Sequence, residues 1–155
     1  MGIISFMGKR DKTISKPAEQ ILVSDYMTTK LVTFHPNHTI HEVIAKLTKF
    51  KISGGPVVND KNELIGIISE TDCIKHIAES KYYNMPMDRN HTVENNMVTE
   101  VETIDKGMNI FDAAEKFIKS KRRRFPIVDN GKLIGQISQK DILKAALKMK
   151  GNHWK

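Results

Sequence analysis

Residues 64–72 read LIGIISETD, and residues 133–141 read LIGQISQKD. Each phrase holds an apolar run, a Ser, two polar residues and an Asp, and further apolar residues follow. The pattern predicts a strand feeding a helix, with Ser at the N-cap and Asp at the third helical position, a capping-box arrangement. It also suits a second chemistry. A Ser hydroxyl, an Asp carboxylate and the unpaired N–H groups of a helix start together fit a ribose phosphate. Capping boxes favour Glu or Gln at the third position, so Asp in both copies leans towards the sugar.

The phrase belongs to a longer duplication. Met27, Thr33, Ile40, Pro56 and Val58 recur 70 positions later as Met97, Thr103, Ile110, Pro126 and Val128. Beyond the turn at 59–62, matched by 129–132, the offset falls to 69, and Leu64, Gly66, Ser69 and Asp72 recur as Leu133, Gly135, Ser138 and Asp141. A one-residue deletion is best tolerated in such a turn. Each copy reads β-α-β-β-α. A short strand is expected at 31–34 (101–104), then a helix over 41–50 with apolar residues at Val43, Ile44, Leu47 and Phe50. Thr39-x-x-Glu42 caps that helix, and Asn109-x-x-Asp112 does so less strongly in the second copy. Pro56 opens the next strand, since proline is tolerated at a strand's first residue. A turn, a strand at 64–68 and a helix from Glu70 to about Ala78 complete the unit. The chain thus divides into a tail at 1–22, a repeat at 23–77, a polar connection at 78–92, a repeat at 93–146 and a basic tail at 147–155.

Composition narrows the function. Hydrophobic content of 39% and charged content of 28% are globular values. Cys73 is the single cysteine, which rules out an internal disulfide and suits a reducing cytoplasm. No apolar stretch reaches the length of a membrane span, and MGIISFMGKR places apolar residues before charge, the reverse of a secretory signal. The net charge of +7 collects mainly towards the two ends, with one dense cluster, KRRR at 121–124, in the body. A nucleic-acid face concentrates basic residues along one surface, so nucleic acid is not expected as a partner. His35, His38 and His41 are spaced by three, but the first two precede the helix and share no helical face, so no metal is expected. Cys73 is expected to be partly buried and unreactive. No nucleophile–base arrangement can be read, and the chain is not expected to be an enzyme.

The ordered marks Met-x-x-x-Leu/Val-x-Thr, Gly/Phe-Pro-Val/Ile-Val and Gly-x-Ile-Ser-x-x-Asp occur in both copies. Taken together, they resemble a tandem pair of CBS domains, the regulatory module first named in cystathionine β-synthase, over about residues 23–146. The resemblance implies an α+β fold of two βαββα repeats packed sheet to sheet in a pseudo-twofold pair. It also implies two clefts that take AMP, ADP or ATP, with NAD and S-adenosylmethionine in the family's range, and no required cofactor. By that analogy Asp72 and Asp141 hold ribose, with Ser69 and Ser138 beside them. Backbone near Leu31 and Thr33, and near Val101 and Thr103, reads the adenine edge, while apolar residues flanking Pro56 and Pro126 sandwich the base. Arg123, Arg124 and Lys140 face phosphates; the first repeat has Ser53, Gly54 and Thr71 at the matching places. The expectation is therefore a dominant charged-nucleotide site at Asp141 and a weaker one at Asp72. A homodimer formed through the second helix of each repeat is implied, as is a regulated protein partner. The alternative is a dimerising structural pair with empty clefts.

Overall fold

The computed structural model describes residues 21–82 and 91–153. Most of the expected tail at 1–22, the middle of the connection and residues 154–155 lie outside them. The fold is α+β and repeats itself. In the first repeat α1 (Ile40–Phe50) is followed by β1 (Gly54–Val58), β2 (Leu64–Ser69) and α2 (Glu70–Tyr82). A short α3 (Val93–Asn96) leads into β3 (Ile104–Asp105), α4 (Ile110–Ser120), β4 (Arg124–Asp129), β5 (Lys132–Ser138) and α5 (Gln139–His153).

Local chemistry explains the helices. The Thr39 hydroxyl accepts from the Glu42 amide at 3.0 Å, and the Glu42 carboxylate accepts from the Thr39 amide at 2.8 Å. The box therefore satisfies two of the donors that every helix start leaves open. Asn109 makes only the forward bond, to the Asp112 amide at 2.8 Å. Ile40, Val43 and Leu47 are buried, as are Ile110, Ala113 and Phe117 on α4. Phe50, which the spacing puts on the same face, is 45% exposed. Both helices stop at a lysine in the left-handed region, Lys51 at φ 54° and Lys121 at φ 58°, a conformation that glycine would adopt at less cost. α2 and α5 run beyond the expected ends at 78 and 146. Met149 on α5 is 4% exposed within the second core, which anchors the extra turns. No helix among the described residues is long and apolar enough to cross a membrane.

The sheets correct two expectations. The opening strand of the first repeat shrinks to a single bridge, Phe34 with Val57, because Pro36 follows and has no N–H to extend the ladder. In the second repeat β3 keeps two residues, parallel to β4. The prolines, moreover, are third in their strands rather than first. Their tolerance comes from register. Pro56 lies opposite Ile67, whose amide and carbonyl both bond Val98 on the other side, at 2.9 Å each. Pro126 lies opposite Gln136, which bonds Thr28 in the same two ways. Neither proline faces a partner awaiting its N–H. The deleted residue is visible too: Asn130 and Gly131, both at positive φ, close a two-residue hairpin, the geometry that matches strand twist. The longer first turn is held by the Asn59 side chain, which accepts from the Lys61 and Glu63 amides.

The repeats exchange their opening segments. Ile21 and Val23, the latter opening a short 3-10 turn at Val23–Asp25, are buried with Ile104, Phe117, Phe125 and Ile137 of the second repeat. The Val23 amide donates to the Met108 carbonyl and the Ile110 amide to the Ile21 carbonyl. Reciprocally, Val93 is fully buried among Phe34, Ile40, Val57 and Ile68 of the first repeat. Its amide donates to the His38 carbonyl, and the Ile40 amide to the His91 carbonyl. The hairpin turns also join, through Leu64 to Gly131 and Leu133 to Asn62. Neither repeat closes a core by itself.

His91 and His76 on α2 are both buried, with Nδ1 atoms 3.3 Å apart and rings at 75°. One nitrogen must donate and the other accept, so the two rings cannot both be imidazolium while the contact is kept. Burial pushes the His76 pKa below its ordinary 6.5, and the neighbouring His91 adds to this, against a weaker pull from Asn96 and Glu79. A depressed histidine contributes stability that is complete above pH 6.5 and is lost as pH falls through the folded-state value. The melting temperature is therefore expected to fall below about pH 6.5, with a shallower fall in His76→Gln. Equal slopes in the two proteins would locate the acid sensitivity elsewhere.

Candidate functional site

The repeated phrases form the same local structure twice. The Ser69 amide and hydroxyl both donate to Asp72 Oδ2, at 2.9 and 3.0 Å. The Ser138 amide and hydroxyl donate to Asp141 Oδ2 at 2.8 and 3.0 Å, and the Asp141 amide donates to the Ser138 hydroxyl at 3.3 Å. Asp is thus long enough to close the box, and its presence needs no sugar to explain it. What the arrangement leaves is Oδ1 of each carboxylate, outside these bonds, with capacity for further donors. Asp141 is 7% exposed and Asp72 is half-buried.

Between the hairpins lies a cavity of about 330 Å³. Residues related by the duplication line it in pairs: Pro56 with Pro126, Gly54 with Arg124, Ile67 with Gln136. Ser69 and Ser53 of the first repeat also reach it, as do Lys121, Arg122 and Arg123 of the second, and no carboxylate among the described residues lines it. A concave site walled by one sign of charge focuses its field on an anion. An adjoining cavity of about 210 Å³ shares Gly54, Pro56, Arg124 and Gln136 and extends to Leu31 and Val32. The two form one cleft, running from the segment before α1 to the arginines. Its size is that of a small-molecule site.

Arg124 departs from the expected pairing. Its guanidinium crosses to the first repeat, donating to Ser53 Oγ at 2.7 Å and to the Gly54 carbonyl at 3.4 Å. The arginines thus meet the groove beside Ser69, whose partner Asp72 stands just behind it; Thr33, Asp72, Val101, Thr103, Ser138 and Asp141 line neither cavity. Thr33 offers its carbonyl to Lys46 Nζ at 2.7 Å. Thr71 and Lys140 are exposed on the first turns of α2 and α5 and also stand outside both cavities. Gln136 is a lining residue of both cavities that sequence reasoning passed over, as it did Ile67, Thr28 and Lys30. The signal for Gln136 was a polar side chain inside the apolar run LIGQI, where the first copy has Ile67.

The three histidines come to nothing as a cluster. His38 Nδ1 accepts from the His35 amide at 3.2 Å, and His41 is exposed on α1. No group of three potential metal ligands assembles among the described residues. Cys73 is 3% exposed, and its thiol pKa is raised by burial first and by Asp72 and Glu70 after it.

The model of the CBS domain matches residues 23–79 and 92–148. The chain belongs to the CBS domain family. Among curated relatives, MJ1426 of Methanocaldococcus jannaschii is 30% identical over 83% of this chain and 93% of its own length. Inosine-5'-monophosphate dehydrogenase of Aquifex aeolicus is 34% identical over 87% of this chain, which spans only 27% of that enzyme. The chain spans 55% of MJ1225 of M. jannaschii, at 27% identity. Of solved CBS structures, CBSX2 of Arabidopsis thaliana in complex with AMP has a TM-score of 0.74 at 28% identity, covering 84% of this chain and 98% of that one. The CBS domain pair of MJ0100, in complex with 5'-methylthioadenosine and S-adenosyl-L-methionine, has a TM-score of 0.67 at 28% identity, covering 83% and 98%. The order of elements and the paired hairpins are those of a CBS pair.

Proposed function

We propose that the protein is a regulatory sensor that binds an adenine nucleotide in the cleft between its hairpins. The observation that carries this reading is the cleft itself. It is built from both repeats, has a proline from each in its wall, and is rimmed by four successive cations with no carboxylate among the described residues that line it. Adenine ligands in CBSX2 and in MJ0100 support the choice of base. The base enters beside Leu31 and Pro56, ribose reaches past Ser69 at the cleft's edge to the Asp72 carboxylate bonded to it, and phosphates take Arg123 and Arg124. A phosphate that draws Arg124 away from Ser53 replaces a contact between repeats with a contact through ligand. Binding thereby favours one relative setting of the repeats over another, which is what a sensor requires. The role is binding rather than catalysis: the dehydrogenase relative is matched through about a quarter of its length. A cytoplasmic setting agrees with a single, buried cysteine.

The signal passes through a homodimer. Ile74, Leu143 and Leu147 on α2 and α5 are 65%, 67% and 71% exposed. A groove of about 350 Å³ between α1 and α2 is lined by Ile44, Leu47 and Ile77. Apolar surface of this kind marks an interface, and a second copy presenting the same helices fits it. A thermal-shift screen with AMP, ADP, ATP, NAD and S-adenosylmethionine tests the reading, because a ligand selective for the native state raises the melting temperature. An upward shift with at least one adenine nucleotide is expected, in samples whose light scattering reads about twice the 17.7 kDa of one chain. A dimer that no adenine compound stabilises would support the structural alternative instead.

A further inference from the structure

The four cations on the cleft are not equally available. Arg123 is exposed and makes no ion pair among the described residues. Arg124 is held by the neutral oxygens of Ser53 and Gly54. Arg122 is held by a carboxylate: its Nε lies 3.0 Å from Glu102 Oε1, with Lys116 Nζ at 3.1 Å from Oε2. Lys116 first and Arg122 next keep the Glu102 carboxyl below its ordinary pKa, so it stays a carboxylate at neutral pH. Glu102 itself is outside the cleft, on a separate surface hollow with Lys116. Arg122 therefore stands between two anion-binding places, one filled from within the chain.

We propose that Glu102 is a specificity-determining residue that competes for Arg122 and thereby makes the cleft distinguish nucleotides by their number of phosphates. The inference rests on the adenine-nucleotide reading and adds selectivity to it. An exposed ion pair is weak, and Arg122 and Glu102 are half and two-fifths exposed. A polyphosphate chain, with more charge and more acceptor oxygens than a carboxylate, can displace Glu102. A monophosphate is served by Arg123 and Arg124 and leaves the Arg122–Glu102 pair intact. The first repeat has no equivalent pair, since Ile52 and Val32 stand at the positions of Arg122 and Glu102.

Calorimetry with ATP, AMP, adenosine and inorganic tripolyphosphate on the full chain tests this. Arg122→Gln is expected to weaken ATP and tripolyphosphate about tenfold and to change AMP by less than about twofold. Glu102→Gln is expected to strengthen ATP several-fold while AMP stays near its starting value. If both variants move ATP and AMP by equal factors, Glu102 does not set selectivity. Binding of adenosine and AMP with none of tripolyphosphate, and no effect of Arg122→Gln on ATP, would overturn the inference and keep the adenine reading. Tripolyphosphate binding with the expected variant pattern, and no adenosine binding, would do the reverse. No binding of any of the four would end both.

Discussion

Deleting residues 1–27 is expected to unfold the second repeat, even though the deleted segment leads into and opens the first. Ile21 and Val23, 8% and 0% exposed, are part of the core built by α4, β4, β5 and α5. Burying an aliphatic side chain of this size contributes about 1.5–3 kcal/mol, so the two together supply about 3–6 kcal/mol. The bonds from Val23 to Met108 and from Ile110 to Ile21 go with them. A domain of this size has only about 5–15 kcal/mol in total, and the loss is a large share of it. Amide exchange should show protection falling first at Phe117, Phe125 and Ile137, while Val43, Val57 and Ile68 hold longer. Deleting only residues 1–20 keeps Ile21 and Val23 and isolates their effect. If the longer deletion exposes the first repeat's core first, the exchange of segments carries no such weight.

Asp72→Ala is expected to weaken nucleotide binding about ten- to hundredfold, through loss of charge-assisted hydrogen bonds worth about 1.5–3 kcal/mol. Asp141→Ala should change affinity by no more than a few-fold. This inverts the ranking drawn from charge along the sequence, because Arg124 reaches Ser53 and Gly54 and the cleft opens beside Ser69. Both variants also remove an acceptor from a helix start, which costs about 1 kcal/mol of stability in each. Asp72→Asn separates the two effects, since its side-chain oxygen can still accept from the Ser69 amide while the charge is gone. Titration calorimetry on the three proteins decides the matter. If Asp141→Ala proves the more damaging to affinity, the working site is the other one.

The repeat, its elements and its caps were legible because each is written within a few residues. Thr39 and Glu42 form a box three positions apart, and a helical face shows as Val43, Ile44 and Leu47, although Phe50 on the same spacing stays exposed. Pairing between the halves was not legible, and symmetry is the reason. Once a unit is duplicated, every contact has two candidate partners, its own copy or the other, and the spacing along the chain is silent between them. Arg124 could serve its own repeat or cross over; it crosses. Val23 could fill the core of the repeat it opens, but fills its neighbour's. The prolines failed differently. Their place inside β1 and β4 depends on which face of Ile67 and Gln136 carries the hydrogen bonds, and that follows from the exchanged segments.

Synthesis on the ribosome gives the exchange a timetable. Chains are made from the N-terminus and tend to fold domain by domain as they emerge. Here the first core cannot close when residue 82 appears, because Val93 is still missing from it. It closes only after the opening of the second half has emerged. Ile21 and Val23, among the earliest of these residues to be made, wait for Phe125 and Ile137 before finding cover. During that interval two aliphatic side chains stand without a partner, next to a first half that already has its own. The nascent chain therefore carries uncovered aliphatic side chains at Ile21 and Val23 until most of the second half has been made.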